Sequence, residues 1–391
     1  MEKEFIAKEA VKEMSEIRID TAFKLAMPFW CSLLLPPLLW ITAVWGGWSF
    51  LLVVFATWIL FSILDAAFGL NPVNEDPETD KSILYWHRLI TLLWAPLQFV
   101  TLFSLIWYAA QSDLTVLEKV GLFFGVGVVT GTIGINYSHE LMHRSPRGER
   151  AMGDWLLAMV LYSHFRSEHL LVHHRHVGTR MDAVTARYGE GFHSFFLRVL
   201  KESLMSAFLA EKERCARKSL PWYDLSNPFL MYWGLQIIML LLAMVLGGWG
   251  GVGLFIFQAF IAIWHLELVN YVEHYGLTRK YLGEGKYEHV KPHHSWNASH
   301  KATNWLLINL QRHSDHHYKP NRPYPLLQTY SASEAPQLPY GYALMTAAAM
   351  FPSFWKSRMN PRVRKWREMY YPEIQDWSAY NHGTQPPPTD G

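Results

Sequence analysis

Cysteine is nearly missing: 391 residues contain two, Cys31 and Cys215, far apart in the chain. That excludes a disulfide framework and any cysteine-rich zinc or iron site, so a bound metal is left to histidine and carboxylate. Charge is also scarce. Only 17% of residues are Asp, Glu, Lys or Arg, while 50% are apolar, which argues against an ordinary soluble enzyme. The net charge of +2 comes with no nucleic-acid-binding motif, so nucleic acid is not expected as a partner. The first residues have no apolar core, and Glu2, Lys3, Glu4, Lys8, Glu9, Lys12 and Glu13 mix both signs of charge there. Residues 1–24 therefore predict a cytoplasmic helix rather than a signal peptide. No internal repeat is visible, which weakens a transporter built from inverted repeats.

What is present is grouped. The apolar residues form six runs, at about 27–44, 49–70, 84–110, 120–137, 229–246 and 252–272, each near the roughly 20 residues that span a bilayer. The joints at Trp45–Trp48 and Gly247–Gly251 contain no Lys or Arg, and the joint after the third run has only Lys119. Basic residues instead crowd the N-terminal segment, Arg144 to Lys218 and the stretch after Arg279, which places those parts and both termini in the cytoplasm. The expected architecture is an all-α integral membrane protein of six transmembrane helices. Its membrane domain covers 25–370, with a cytoplasmic helical and loop cap at 138–227 and 273–370 and a C-terminal tail at 371–391. Met152–Tyr162 and Tyr342–Trp355 are too short to span and read as buried or interfacial helices. Residues 385–391, Gln-Pro-Pro-Pro-Thr-Asp-Gly, are expected to lack order.

Nine of the 19 histidines form clusters that all lie on the cytoplasmic side of this map. They are His139 and His143; His169, His173 and His174; His274; and His313, His316 and His317. Residues four apart share a helix face, so His139/His143, His169/His173 and His313/His317 can each converge on an ion, with His316 on the face of His313. Neutral imidazole binds iron, copper, nickel and zinc, and nine candidates exceed what one tetrahedral ion accepts, which implies two ions. Isolated histidines such as His87, His193, His289 and His382 read as ordinary hydrogen-bonded residues.

Several chemistries fit part of this pattern. His139-Glu140-Leu-Met-His143 matches the zinc-protease arrangement of two ligands and a general base, which would make the chain an intramembrane metalloprotease. That reading leaves the other seven histidines idle. A soluble di-iron carboxylate bundle needs paired Glu-x-x-His motifs, and only Glu140–His143 supplies one.

The fuller pattern is that of a family. His139-Glu-Leu-Met-His-Arg144, Glu168-His-x-x-x-His-His174, Asn270-Tyr-Val-Glu-His-Tyr-Gly-Leu277, His294-Ser-Trp-Asn297 and Leu310-Gln-Arg-His-Ser-Asp-His-His317 resemble the motifs of the integral-membrane alkane 1-monooxygenases, within the membrane di-iron hydroxylases and desaturases. The resemblance implies two non-haem irons held by the nine histidines, with no catalytic residue beyond these ligands. It implies O2-dependent terminal hydroxylation of medium- and long-chain n-alkanes to primary alcohols, with methyl hydroxylation of alkyl-aromatics (xylene or cymene type) or desaturation as alternatives. Val172 stands where the family has Gly, and Thr179-Arg-Met-Asp-Ala-Val184 replaces a proline-containing loop.

Glu140, Glu168, Asp182, Glu273 and Asp315 adjoin the ligands in sequence and are expected to orient their free ring nitrogens. Glu267 and Asn270 share a face with His274 in the sixth run and are expected beneath the metals, whereas His265 is off that face. Trp30, Trp40, Trp58 and Trp94 are candidates for setting the depth of a hydrocarbon tunnel. With no four-cysteine module in the chain, the electrons must come from a separate protein. The resemblance implies rubredoxin, fed by an NAD(P)H-dependent rubredoxin reductase, and a bacterial inner-membrane location with the metal site cytoplasmic. The basic stretches Arg198–Lys218 and Lys356–Arg367 are candidates for docking that donor or anionic lipid.

Overall fold

A computed structural model describes residues 21–387. The expected N-terminal helix, up to residue 20, and residues 388–391 of the tail lie outside the described residues. Among the described residues, five helices are long and apolar enough to cross a membrane: α1 (Thr21–Trp45), α2 (Gly47–Phe68), α3 (Lys81–Gln111), α4 (Val116–Met142) and, after the cap helices, α8 (Pro228–His274). Residues 21–24, expected in the N-terminal helix, are instead the first turn of α1.

The two runs expected between 229 and 272 form the single 47-residue element α8, but it is not one straight rod. At 1.5 Å per residue, such a rod would be about 70 Å long, more than twice the hydrocarbon thickness of a bilayer. Gly248 interrupts it at φ 58°, ψ −155°, a conformation open essentially only to glycine. A Cβ on Gly251 would lie 2.7 Å from the carbonyl oxygen of Ala243, eight residues earlier, so the two halves fold back on each other. Gly46 makes the same elbow between α1 and α2, at φ 60°, ψ −155°. The exposed Trp45, Trp48 and Trp249 gather at these two tips, as aromatic side chains do at a membrane interface.

Close backbone approach joins α4 to the second half of α8. Gly127 and Gly131 are four residues apart, and a Cβ on either would fall within 2.8 Å of the carbonyl oxygen of Gln258 or Ala262. Small residues at this spacing let membrane helices pack backbone to backbone. The contact also brings the histidine-bearing C-terminal ends of both helices together.

The cap consists of short helices: α5 (Arg147–Ala158), α6 (165–176), α7 (Phe192–Ala216), α9 (Lys301–Leu306), α10 (His313–Tyr318), α11 (Tyr342–Ala349), α12 (Pro352–Tyr370) and α13 (Ser378–His382). One two-stranded hairpin, β1 (Tyr281–Gly283) with β2 (Lys286–Tyr287), departs from the all-α expectation. Both apolar segments too short to span are helical, and Pro352 in the second starts α12, where its missing N–H is no loss. The tail is ordered further than its composition suggests. Gln385 accepts from Arg180 at 3.1 Å and donates to the Tyr281 hydroxyl at 2.6 Å.

Replacing Gly248 by Ala should destabilise the protein by about 1–3 kcal/mol, because the residue must keep φ near +58°. Gly250→Ala, at a helical position with open space around its Cβ, should be neutral or stabilising. Thermal unfolding of the two variants in the same detergent checks this, and equal melting temperatures would remove the elbow's strain from the account.

Candidate metal centre

The nine histidines converge from four elements. Helix α4 carries His139, with His143 just past its end; α6 carries His169, His173 and His174; α8 ends on His274; and α10 carries His313, His316 and His317. Their Nε2 atoms fall into two sets. In the first, Nε2 of His139 is 3.0 Å from that of His316, His169 is 3.1 Å from His143 and 2.9 Å from His174, and His316 is 3.4 Å from His169. In the second, His173 is 3.2 Å from His317, His317 is 3.0 Å from His313, and His313 is 3.2 Å from His274. The sets have five and four members.

These separations match the chemistry of ligands better than that of hydrogen bonds. The nitrogens of His143, His169 and His174 are mutually adjacent, His174 lying 3.3 Å from His143, and three atoms that each donate or accept once cannot satisfy all three contacts. Nitrogens bound about 2.1 Å from one ion are about 3.0 to 3.4 Å apart at octahedral or tetrahedral angles. Burial favours the neutral form of six of these imidazoles outside the spans, the form that metal binding requires. It lowers His143 to about 4, and it pushes His169, His174, His313, His316 and His317 well below the usual range with help from neighbouring histidines. The donor set fits two ions.

The pairing differs from the i,i+4 expectation in two places. Residues His169–His173 form a π-helical turn, so His169 meets His174, five residues on, while His173 joins the other set. His316 likewise parts from His313 and His317. Thus α6 and α10 each contribute to both sets.

The polar residues expected to orient the ligands divide sharply. Asp182 Oδ2 lies 3.0 Å from His173 Nδ1, which makes Nδ1 the donor and leaves the Nε2 lone pair facing the second set. Thr185 donates to the same oxygen at 2.6 Å, and Val184 N–H to the other at 3.1 Å, so side-chain and turn bonds hold the loop where the family has prolines. Glu273 Oε2 is 3.3 Å from His313 Nε2, the nitrogen that faces the set, so this carboxylate presents oxygen at the level of the ligands themselves. The others bond elsewhere. Glu140 pairs with Arg144 and accepts from Tyr324 N–H; Asp315 binds Arg322, Gln328 N–H and Tyr330; Glu267 accepts from Tyr162 and Asn270. Glu168 is buried with neither oxygen hydrogen-bonded, and burial, then the nearby Asp182 and Glu267, raises its carboxyl well above the usual range.

An apolar cavity opens onto both sets, through His139 and His169 of the first and His173 and His313 of the second. Trp58 lines it and donates to Thr346 Oγ1 at 3.2 Å. Of the four tryptophans considered for setting its depth, Trp30, Trp40 and Trp94 do not line it; Trp94 is buried between Gln98 and Tyr137. His265, off the ligand face, lines it with its ring edge-on to Trp58. Tyr342, Ala343 and Thr346 of α11 form another wall; the sequence marks this segment as a short buried or interfacial helix, but its eight mostly small residues carry no signal that one face lines a cavity.

Residues 119–349 match the fatty acid desaturase family, more than half of the chain. The chain is 40% identical over 323 residues to alkane 1-monooxygenase 2 of Pseudomonas aeruginosa, covering 81% of this chain and 84% of that protein. The chain belongs to the alkane 1-monooxygenase family. A second member, alkane 1-monooxygenase 2 of Alcanivorax borkumensis, is 36% identical over 329 residues, 83% of this chain and 84% of its own. The hydroxylase component of a Pseudomonas putida xylene/toluene monooxygenase is 28% identical over 256 residues, 65% of this chain and 67% of its own. In this family setting, a third cluster of candidate ligands stands apart. Glu288, His293 and His294 meet around the hydroxyl of Tyr371, with His294 Nε2 at 2.6 Å and His293 Nε2 at 3.1 Å. His294 Nδ1 accepts from Lys291 N–H, so in the neutral ring Nε2 carries the proton and the cluster closes as a hydrogen-bonded clasp.

Asp182→Asn should lower metal retention by about 10- to 100-fold through loss of His173 orientation. Metal content after dialysis against a chelator reads this directly, and retention equal to wild type would make Asp182 a loop anchor only.

Proposed function

We propose that the protein is an alkane 1-monooxygenase that hydroxylates the terminal carbon of medium- and long-chain n-alkanes in the membrane. The observation that carries this reading is the apolar cavity lined by histidines of both sets, His139 and His169 of the first and His173 and His313 of the second. The first iron would be held by His139, His143, His169, His174 and His316, the second by His173, His274, His313 and His317. When bound, the irons would supply O2 activation, one oxygen atom entering the C–H bond and the other leaving as water with two electrons and two protons. The chain's own contribution is geometric. A hydrocarbon held end-on against this apolar wall would bring a terminal carbon to the site before any internal one. Asp182 holds the His173 ring in one tautomer and orientation.

The protease alternative loses its general base, because the Glu140 carboxylate is engaged by Arg144 and Tyr324. The fold-back at Gly248 supports six crossings, with both termini and the histidine cap on the cytoplasmic side of a bacterial inner membrane. Rubredoxin, reduced by an NAD(P)H-dependent reductase, would supply the electrons, since the only two cysteines are distant from each other in sequence.

Reconstituted with rubredoxin, its reductase and labelled O2, the protein should bind about two irons and convert n-alkanes to labelled primary alcohols. An alkene product would mean desaturation, preference for a methyl-aromatic would move it to the xylene type, and one zinc with peptide cleavage would overturn the reading. Trp58→Ala should extend the longest alkane accepted by removing bulk from the cavity wall, with iron content unchanged. Gas chromatography of products across chain lengths reads the shift, and an unchanged length profile would place the depth limit elsewhere.

A further inference from the structure

We infer that the groove between α11 and α12 is a binding site for an anionic phospholipid, with its phosphate held by Arg358 and Arg362 and an acyl chain against α11. The two faces of α11 are used differently. One lines the apolar cavity through Tyr342, Ala343 and Thr346; the other, through Leu344, borders an outward groove shared with Phe351 of the joint and Phe354 of α12. Those three side chains are 44%, 66% and 50% exposed, an apolar patch that water would not favour. The bond from Trp58 in α2 to Thr346 ties α11 to a membrane-crossing helix.

Charge then selects the lipid. Helix α12 carries Lys356, Arg358, Arg362, Arg364, Lys365 and Arg367 against one acid, Glu368. At the groove, the Arg358 guanidinium lies 5.4 Å over the Phe354 ring, and Arg362 donates to the Arg358 carbonyl oxygen at 2.6 Å. Neither arginine is within ion-pair distance of a carboxylate among the described residues, and both are exposed. In the other basic stretch the arginines are paired instead: Arg198 with Glu190 and Glu202, Arg214 with Glu211, and Arg217 with Glu213. Arginine's planar fork suits a phosphate, and its stem rests on apolar surface while the head reaches the headgroup layer. An acidic protein would satisfy the arginines but leave the apolar groove unfilled. A lipid seated there would pack against the helix whose opposite face walls the cavity.

The inference rests on the chain lying in a membrane and not on the reaction proposed above, so its failure leaves that reaction standing. The test is native mass spectrometry of the iron-loaded protein in mixed micelles with equal phosphatidylglycerol and phosphatidylcholine. Wild type should retain phosphatidylglycerol preferentially, the preference should fall with added salt, and R358Q/R362Q should reduce it by roughly tenfold or more. K201Q/K212Q, on α7, should leave it unchanged. Equal retention of the two lipids by wild type, a preference insensitive to salt, or an unaltered preference in R358Q/R362Q would overturn the site. A raised KM for the electron donor in R358Q/R362Q with phosphatidylglycerol retention intact would assign the arginines to an acidic protein instead.

Discussion

Nine imidazoles pointed at one another in a buried space are the constraint on which this structure turns. Their nitrogens stand 2.9 to 3.4 Å apart and cannot all satisfy one another by hydrogen bonding, so the arrangement suits ligands around ions better than a hydrogen-bonded network. Holding it in place falls to the surrounding helices. The glycines of α4 let its backbone approach α8 so that His139 and His274 reach a common site, and the membrane helices supply the rigid frame for both.

The cavity and the ligands share a second device. Among the described residues, π-helical turns occur at Phe55–Leu60, Thr130–Ile135 and His169–His173. All three face the cavity: the first offers Thr57 and Trp58, the second Gly131, Thr132 and Ile135, the third His169 and His173. A π-turn inserts a residue into a helix and rotates the side chains beyond it about the helix axis. In α2 and α4 the inserted residues border the space a hydrocarbon would occupy. In α6 the turn distributes three histidines from one helix over two sets, which an unbroken α-helix with i,i+4 spacing would not do.

Much of this was legible in the sequence, and the exceptions have physical causes. Hydropathy located the membrane helices because lipid demands long apolar runs, and histidine spacing located the nine ligand candidates. It could not assign them to sets, because a π-turn carries no composition signal and changes which residues share a face. Charge next to a ligand was a poor guide to orientation. Glu140 and Asp315 adjoin ligands in sequence yet direct their oxygens to Arg144 and Arg322, while Asp182, eight residues beyond His174, reaches back to His173. Adjacency along a helix points successive side chains in different directions, so a neighbour in sequence is seldom the group facing the free ring nitrogen.

The short helix α10 shows how two separate sequence motifs form one device. With six residues and ligands for both sets, it cannot be stabilised by its own backbone hydrogen bonds alone. Asn297, from the His-Ser-Trp-Asn motif, accepts from Ser314 N–H at 2.9 Å, and Ser314 Oγ donates to Ser295 O at 3.0 Å. Trp296 secures that motif to the end of α8, its backbone N–H donating to Glu273 O and its ring N–H to Tyr275 O. On the other side Asp315 gathers Arg322, Gln328 and Tyr330, and Arg312 donates to Leu327 O, Asn71 O and Val73 O. The helix carrying His313, His316 and His317 is therefore fixed to the helix ending in His274 through a loop that contains no proposed ligand. That explains why the two motifs belong together: one supplies nitrogens to both sets, and the other holds it at the distance at which those nitrogens meet the rest.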